Sequence, residues 1–270
     1  AVNARFDVDL TVAHVFAERT PVGLSGLVES AQAGAVAVSA LDALGRQVVE
    51  LSAPAEADSP ILWCVHPVSG FATDYGALAE NLPGYRVIGL QLPGLVDVAA
   101  PVASSLEELA AAHVEAILSV QGSGPYRLAG WSLGGLLAAE MARRMTASGE
   151  TVAFLGMLDP RCPSEVFADS APAFGVDDQL RAAVEGVAPE LVENYEARVA
   201  AVVDGVHGFV VPTVEASMTV YVAASDNPVE EPWADIVDGT LVSVRVGYRH
   251  AEFGSAEAMA EIARVLKEEL

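Results

Sequence analysis

Basic side chains are scarce in this chain of 270 residues, where 14 lysines and arginines face 37 aspartates and glutamates for a net charge of −23. A surface of that sign repels phosphate backbones and anionic bilayers, which argues against nucleic acid or a membrane as partner. The acids are spread rather than clustered and read as a solvating surface. Cysteine is nearly absent, and two residues make no disulfide framework. Cys64 lies within the apolar run Ile61-Leu62-Trp63-Cys64-Val65 and reads as a small buried hydrophobe, while Cys162, after Asp159-Pro160-Arg161, reads as a loop thiol. No apolar run approaches the roughly 18–20 residues that span a bilayer. A basic start followed by an apolar stretch, the mark of a secretory leader, is also missing, so the expected location is cytoplasmic. Metal-ligand patterns are lacking too: His113 and Glu115 are two apart, a poor spacing for one helix face, and no His/Cys cluster occurs, so no metal is expected.

What is present is apolar mass. With 52% hydrophobic residues the chain can bury a large core, enough for one domain and a small appendage. Strands are expected at Val48 to Leu51, Ile61 to His66, Arg86 to Leu92, Tyr126 to Ala129, Thr151 to Leu158, Ser217 to Ala224 and Thr240 to Val246. Helices are expected at Tyr75 to Leu82, from a cap at Ser104 or Ser105 to about Val120, at Leu133 to Met145 and at Ala256 to Leu270. Strands alternating with helices predict an α/β fold, a mostly parallel sheet with helices on both faces. Pro160 to Pro212 interrupts the alternation with helix-like pieces (Gln179 to Val187, Glu190 to Val203) and reads as a lid insertion. Residues 1–30 are expected to form two short amphipathic helical pieces around Thr20-Pro21, and the Ala-rich residues 31–47 read as a linker.

The most informative motif is Gly130-Trp131-Ser132-Leu133-Gly134, a serine between two glycines. A hydroxyl is a weak nucleophile, so such a serine is held on a sharp strand-to-helix turn, exposed and near a base. The bare pattern would occur by chance in about one chain in ten of this length. A strand before it, a helix after it, and an acid and a histidine downstream give it weight. Of the five histidines, His14 is in the appendage, His66 ends a strand, His113 is mid-helix and His207 is in the insertion. His250 follows the last strand, just before the terminal helix, where a hydrolase base belongs. For the acid, Asp159 and Asp226 each end a later strand, and both edges suit the role.

His66-Pro67-Val68-Ser69-Gly70, Gly89-Leu90-Gln91-Leu92-Pro93-Gly94, Gly130-Trp131-Ser132-Leu133-Gly134-Gly135 and Leu158-Asp159, in that order, resemble the thioesterase domains that end nonribosomal peptide synthetases. The resemblance covers about residues 48–270 and implies an α/β-hydrolase fold. It also implies Asp159 as the acid rather than Asp226, an oxyanion hole from the backbone N–H groups of Val68 and Leu133, and a structural role for His66. Where that family usually has an aromatic directly after its histidine, this chain has Ala251-Glu252-Phe253. Phe6-Asp7-Val8-Asp9-Leu10-Thr11-Val12, Val15-Phe16 and Thr20-Pro21-Val22-Gly23-Leu24 resemble the C-terminal part of a peptidyl carrier domain without its phosphopantetheine serine. The implied activity is release of a finished peptide, by hydrolysis or cyclisation through a Ser132 acyl-enzyme. The implied partner is an upstream carrier domain whose phosphopantetheine arm brings the substrate; no bound cofactor is implied. The rival readings are a stand-alone or editing serine thioesterase or esterase, and an inactive module that only docks a carrier domain.

Overall fold

A computed structural model describes residues 45–52, 58–95, 97–160, 189–223, 231–234 and 236–270. The appendage at 1–30, nearly all of the linker, the helix expected at Gln179 to Val187, and the residues Cys162 and Asp226 lie outside the described residues. Seven strands form one sheet: β1 (Val48–Glu50), β2 (Ile61–Val65), β3 (Arg86–Leu90), β4 (Tyr126–Trp131), β5 (Val152–Leu158), β6 (Met218–Val222) and β7 (Leu241–Arg245). Their order is β1-β3-β2-β4-β5-β6-β7. Only β1 runs antiparallel, against β3; every other pairing is parallel.

Parallel strands need crossovers, and these are α1 (Gly76–Glu80), α2 (Leu106–Val120), α3 (Leu133–Ala147), α4 (Pro189–Val206) and the single turn α5 (Glu231–Ala234); α6 (Ala256–Glu269) follows the last strand. The periodicity of two decides which side chain faces which layer. Along β2, Trp63 and Val65 enter a core with α2, α3 and α4, whereas Leu62 and Cys64 enter the opposite core with α1 and α6. Covered on both faces, β6 is buried at every position, which is why such strands read as unbroken apolar runs. The free Cys64 is fully buried, and burial pushes its thiol well above the usual range.

Ends are set locally. The α2 cap is Ser105, whose Oγ accepts from the Glu108 N–H at 3.2 Å, with Glu107 and Glu108 at the positive end of the helix. Ser255 caps α6 in the same way. The elements stay within a few residues of the expected ranges; α5 was not foreseen, because four residues carry no periodic signal. Strand order reverses between β2 and β4, and in open parallel sheets the crevice at the carboxyl ends of such strands is the usual ligand site.

Candidate active site

β4 runs to Trp131, and Ser132 is the first residue beyond it, with φ 56° and ψ −120° as the N-cap of α3. A side chain in that region of backbone space is strained and persists only when its surroundings fix it. They do so here: the Ser132 N–H donates to Leu158 O at 2.9 Å and the Gly135 N–H to Ser132 O at 3.0 Å. The flanking glycines are required by contact. A Cβ on Gly130 would overlap the Gly134 carbonyl, and one on Gly134 would overlap the Val65 carbonyl. Tyr75, wholly buried, adds a brace that the sequence did not reveal. Its hydroxyl donates to Val65 O and accepts from the Trp131 N–H, both at 2.7 Å, tying the ends of β2 and β4 together. The signal that could have exposed it is a tyrosine, rather than a phenylalanine, at the end of the short turn Thr73-Asp74-Tyr75.

At the end of β5, Asp159 also has a positive φ, 43°, and is almost entirely buried. Its N–H donates to Tyr221 O at 2.6 Å, and its Oδ1 accepts from the Ala223 N–H at 2.9 Å. Its Oδ2 lies 2.6 Å from His250 Nδ1. The tautomer with its proton on Nδ1 fits that contact and leaves Nε2 to face a substrate. His250 opens a short 3₁₀ turn, His250–Glu252, held by the Arg249 N–H donating to Glu252 Oε2 at 2.8 Å. Its side chain keeps 27% exposure, unlike the buried carboxylate beside it. The Trp131 ring lies beside the imidazole, centroids 5.9 Å apart. The aromatic expected immediately after the histidine is three residues later, where Phe253 is fully buried under the turn.

Asp159 and His250 are therefore brought together, and Ser132 lies at the same edge of the sheet. Its hydroxyl makes no hydrogen bond to His250 among the described residues, a looseness usual for such sites without substrate. Ser132 is also less open than an exposed elbow implies, with 7% exposure. Leu133, whose N–H opens α3, is likewise buried, and Val68 sits half-buried in the turn after β2. That turn is closed by the Gly70 N–H donating to Pro67 O at 3.0 Å.

His66 is elsewhere in character. It is fully buried with Nδ1 2.7 Å from Pro67 O, and its ring meets that of His113 edge-on at 5.2 Å. Burial holds His66 down at about 4 against the bond to Pro67, and burial with His66 nearby holds His113 well below the usual range. Both rings stay neutral. No group of three or more His, Cys, Asp or Glu able to hold a metal occurs among the described residues. Nor, among them, is any helix long and apolar enough to cross a membrane.

The thioesterase domain family matches residues 60–222. The chain is 41% identical over 133 residues to enterobactin synthase component F of Escherichia coli (strain K12), covering 48% of this chain and 10% of that protein. It is 35% identical over 153 residues to the dimodular nonribosomal peptide synthase of Bacillus subtilis (strain 168), covering 56% of this chain and 6% of that protein. The chain thus spans a tenth or less of the length of these curated relatives. Among solved structures it resembles the NocB thioesterase domain from the nocardicin cluster in covalent complex with a fluorophosphonate nocardicin G analogue. That match has a TM-score of 0.65 and 28% identity, covering 79% of this chain and 96% of that one.

Proposed function

The chain belongs to the thioesterase domain family, and from that premise we propose that it releases a completed peptide from the phosphopantetheine thioester of an upstream carrier domain. Ser132 Oγ attacks the thioester carbonyl as its proton passes to His250 Nε2. The carbonyl becomes an oxyanion held by the N–H groups of Val68 and Leu133, the latter aided by the positive end of α3. Collapse of that intermediate breaks the carbon–sulfur bond. The pantetheine sulfur takes the proton from the imidazolium and leaves as a thiol, and the peptidyl group remains as an ester on Ser132. Water, or a hydroxyl or amine within the peptide, then gives its proton to His250 and attacks the ester. Loss of Ser132 Oγ, reprotonated by His250, yields an acid or a ring. Asp159 holds the proton of His250 on Nδ1 throughout and stabilises the imidazolium.

The observation that carries this reading is the 2.6 Å contact between buried Asp159 and half-open His250, beside a serine with an elbow backbone. Residues 1–30 fit as the end of the carrier domain and residues 31–47 as its linker. Turnover of a soluble peptidyl thioester, with products separated by mass spectrometry, tests the proposal. Release of linear or cyclic peptide by the parent and none by Ser132→Ala is expected. Folded protein that binds a carrier domain but releases nothing would favour the docking module, and faster turnover of oxygen esters than of thioesters would favour an esterase.

A further inference from the structure

The Gly89-Leu90-Gln91-Leu92-Pro93-Gly94 motif supplies no atom to the chemistry above, and α4 carries an arginine that an amphipathic helix would ordinarily send to solvent. The two meet. Arg198 is 2% exposed and spends all five of its N–H donors. Nε donates to Asn194 Oδ1 at 3.0 Å, Nη1 to Pro93 O and Pro101 O at 3.1 and 3.0 Å, and Nη2 to Asp97 O and Ala100 O at 3.0 and 2.7 Å. Gly94 makes the room: its φ is +75°, and a Cβ there would lie 2.5 Å from Arg198 Cζ. The loop after β3 is thereby wrapped around one guanidinium of the insertion.

On the same face of α4, three residues before Arg198, Tyr195 donates its hydroxyl to Ser69 O at 2.9 Å and stacks on Phe71 with centroids 5.7 Å apart. The peptide between Ser69 and Gly70 presents that carbonyl to Tyr195, and its N–H donates to Pro67 O at 3.0 Å. Pro67 O shares a peptide plane with the Val68 N–H. The next carbonyl, Gly70 O, accepts from the Leu92 N–H at 2.9 Å, from the motif that holds Arg198. Two rigid peptide planes therefore link the tyrosine of the insertion to the proposed oxyanion donor.

Resting on the thioesterase reading, we infer that Tyr195 and Arg198 are positioning residues for the oxyanion turn, and that Pro93-Gly94 serves as the socket for Arg198. The insertion is then more than a cover, because its α4 sets where the Val68 N–H points. Removing an oxyanion donor outright costs about 10²–10³ in turnover; misaligning one costs less.

The test uses the whole chain, a short acyl thioester of N-acetylcysteamine and a fluorophosphonate. Tyr195→Phe removes one hydroxyl, and Arg198→Lys leaves fewer donors than carbonyls. Tyr195→Phe is expected to lower kcat about tenfold with KM within about twofold. Labelling of Ser132 should slow in parallel, since the phosphoryl oxygen uses the same donors, and melting should stay within a few degrees of the parent. Arg198→Lys is expected to lose more, and Gly94→Ala to behave like it. An active parent with folded Tyr195→Phe and Arg198→Lys matching it in kcat would overturn the positioning role alone, as would a loss confined to KM. A folded parent that neither turns over the thioester nor labels at Ser132 would overturn the thioesterase reading and this inference with it.

Discussion

His66 and His250 follow strand ends at the same edge of one sheet, and their surroundings are opposite. His66 is sealed between β2 and α2, its Nδ1 committed to a backbone carbonyl and its Nε2 without a partner. His250 faces a buried carboxylate on one side and solvent on the other. Residue type does not separate them, and place in the chain only points to His250, which follows the last strand. The neighbours do: apolar walls and a second neutral ring for one, and for the other an aspartate already fixed by two backbone hydrogen bonds. An imidazole becomes a base where a carboxylate fixes its tautomer and the other nitrogen is free to meet substrate.

The sharpest way to break this contrast is to remove the carboxylate. Asp159→Asn should lower turnover of a single thioester by about 10⁴, with folding checked by circular dichroism, because the imidazole is left in the wrong tautomer. Asp226→Asn should lose less than about tenfold, and the reverse ordering would move the acid to Asp226.

His66 should register in stability instead. Its folded pKa, about 4, lies below the unfolded value of 6.5, so the unfolded chain binds the extra proton. The stability it contributes is complete above pH 6.5 and is lost as pH falls to 4, by about 3 kcal/mol in all. His113, lowered in the same direction, adds to the loss. Unfolding free energies measured by denaturant between those two pH values should fall steeply in the parent and less steeply in His66→Asn. Turnover of His66→Asn should drop by no more than about tenfold, since the ring bonds one carbonyl, Pro67 O, of the turn proposed to hold the oxyanion. An unchanged slope would show that His66 titrates normally in the folded protein.

The smallest effect is expected at the other end of the chain. Deleting residues 1–30 should leave turnover of a small soluble thioester within a few-fold of the parent, because the carrier fragment proposed there lacks the serine that would present substrate. A loss of orders of magnitude in a folded deletion would make that segment part of the catalytic unit.

What could be read from the residues was local. Apolar runs marked β2 and β5, and a serine cap at Ser104 or Ser105 marked the start of α2, which the structure places at Ser105. The elbow showed itself through two glycines whose places no larger residue can take. What could not be read was long-range. Asp159 and Asp226 looked alike because each ended an apolar run. Only pairing with β6, which brings the Tyr221 carbonyl and the Ala223 N–H to Asp159, shows how one of them is gripped. The five-donor grip of Arg198 reaches about a hundred residues back along the chain, so in sequence it is one more charge on a helix. Tyr75 was hidden for a similar reason: its partners, the Val65 carbonyl and the Trp131 N–H, lie on two strands, and nothing in Thr73-Asp74-Tyr75 names them.

On the proposed mechanism Ser132, and no other serine, is the nucleophile activated by His250 and Asp159. Incubation with a fluorophosphonate followed by peptide mass spectrometry tests it directly. The expected result is one covalent adduct per chain, located on Ser132, absent in Ser132→Ala and strongly slowed in His250→Ala. An adduct on another residue, or none on folded protein, would contradict the mechanism.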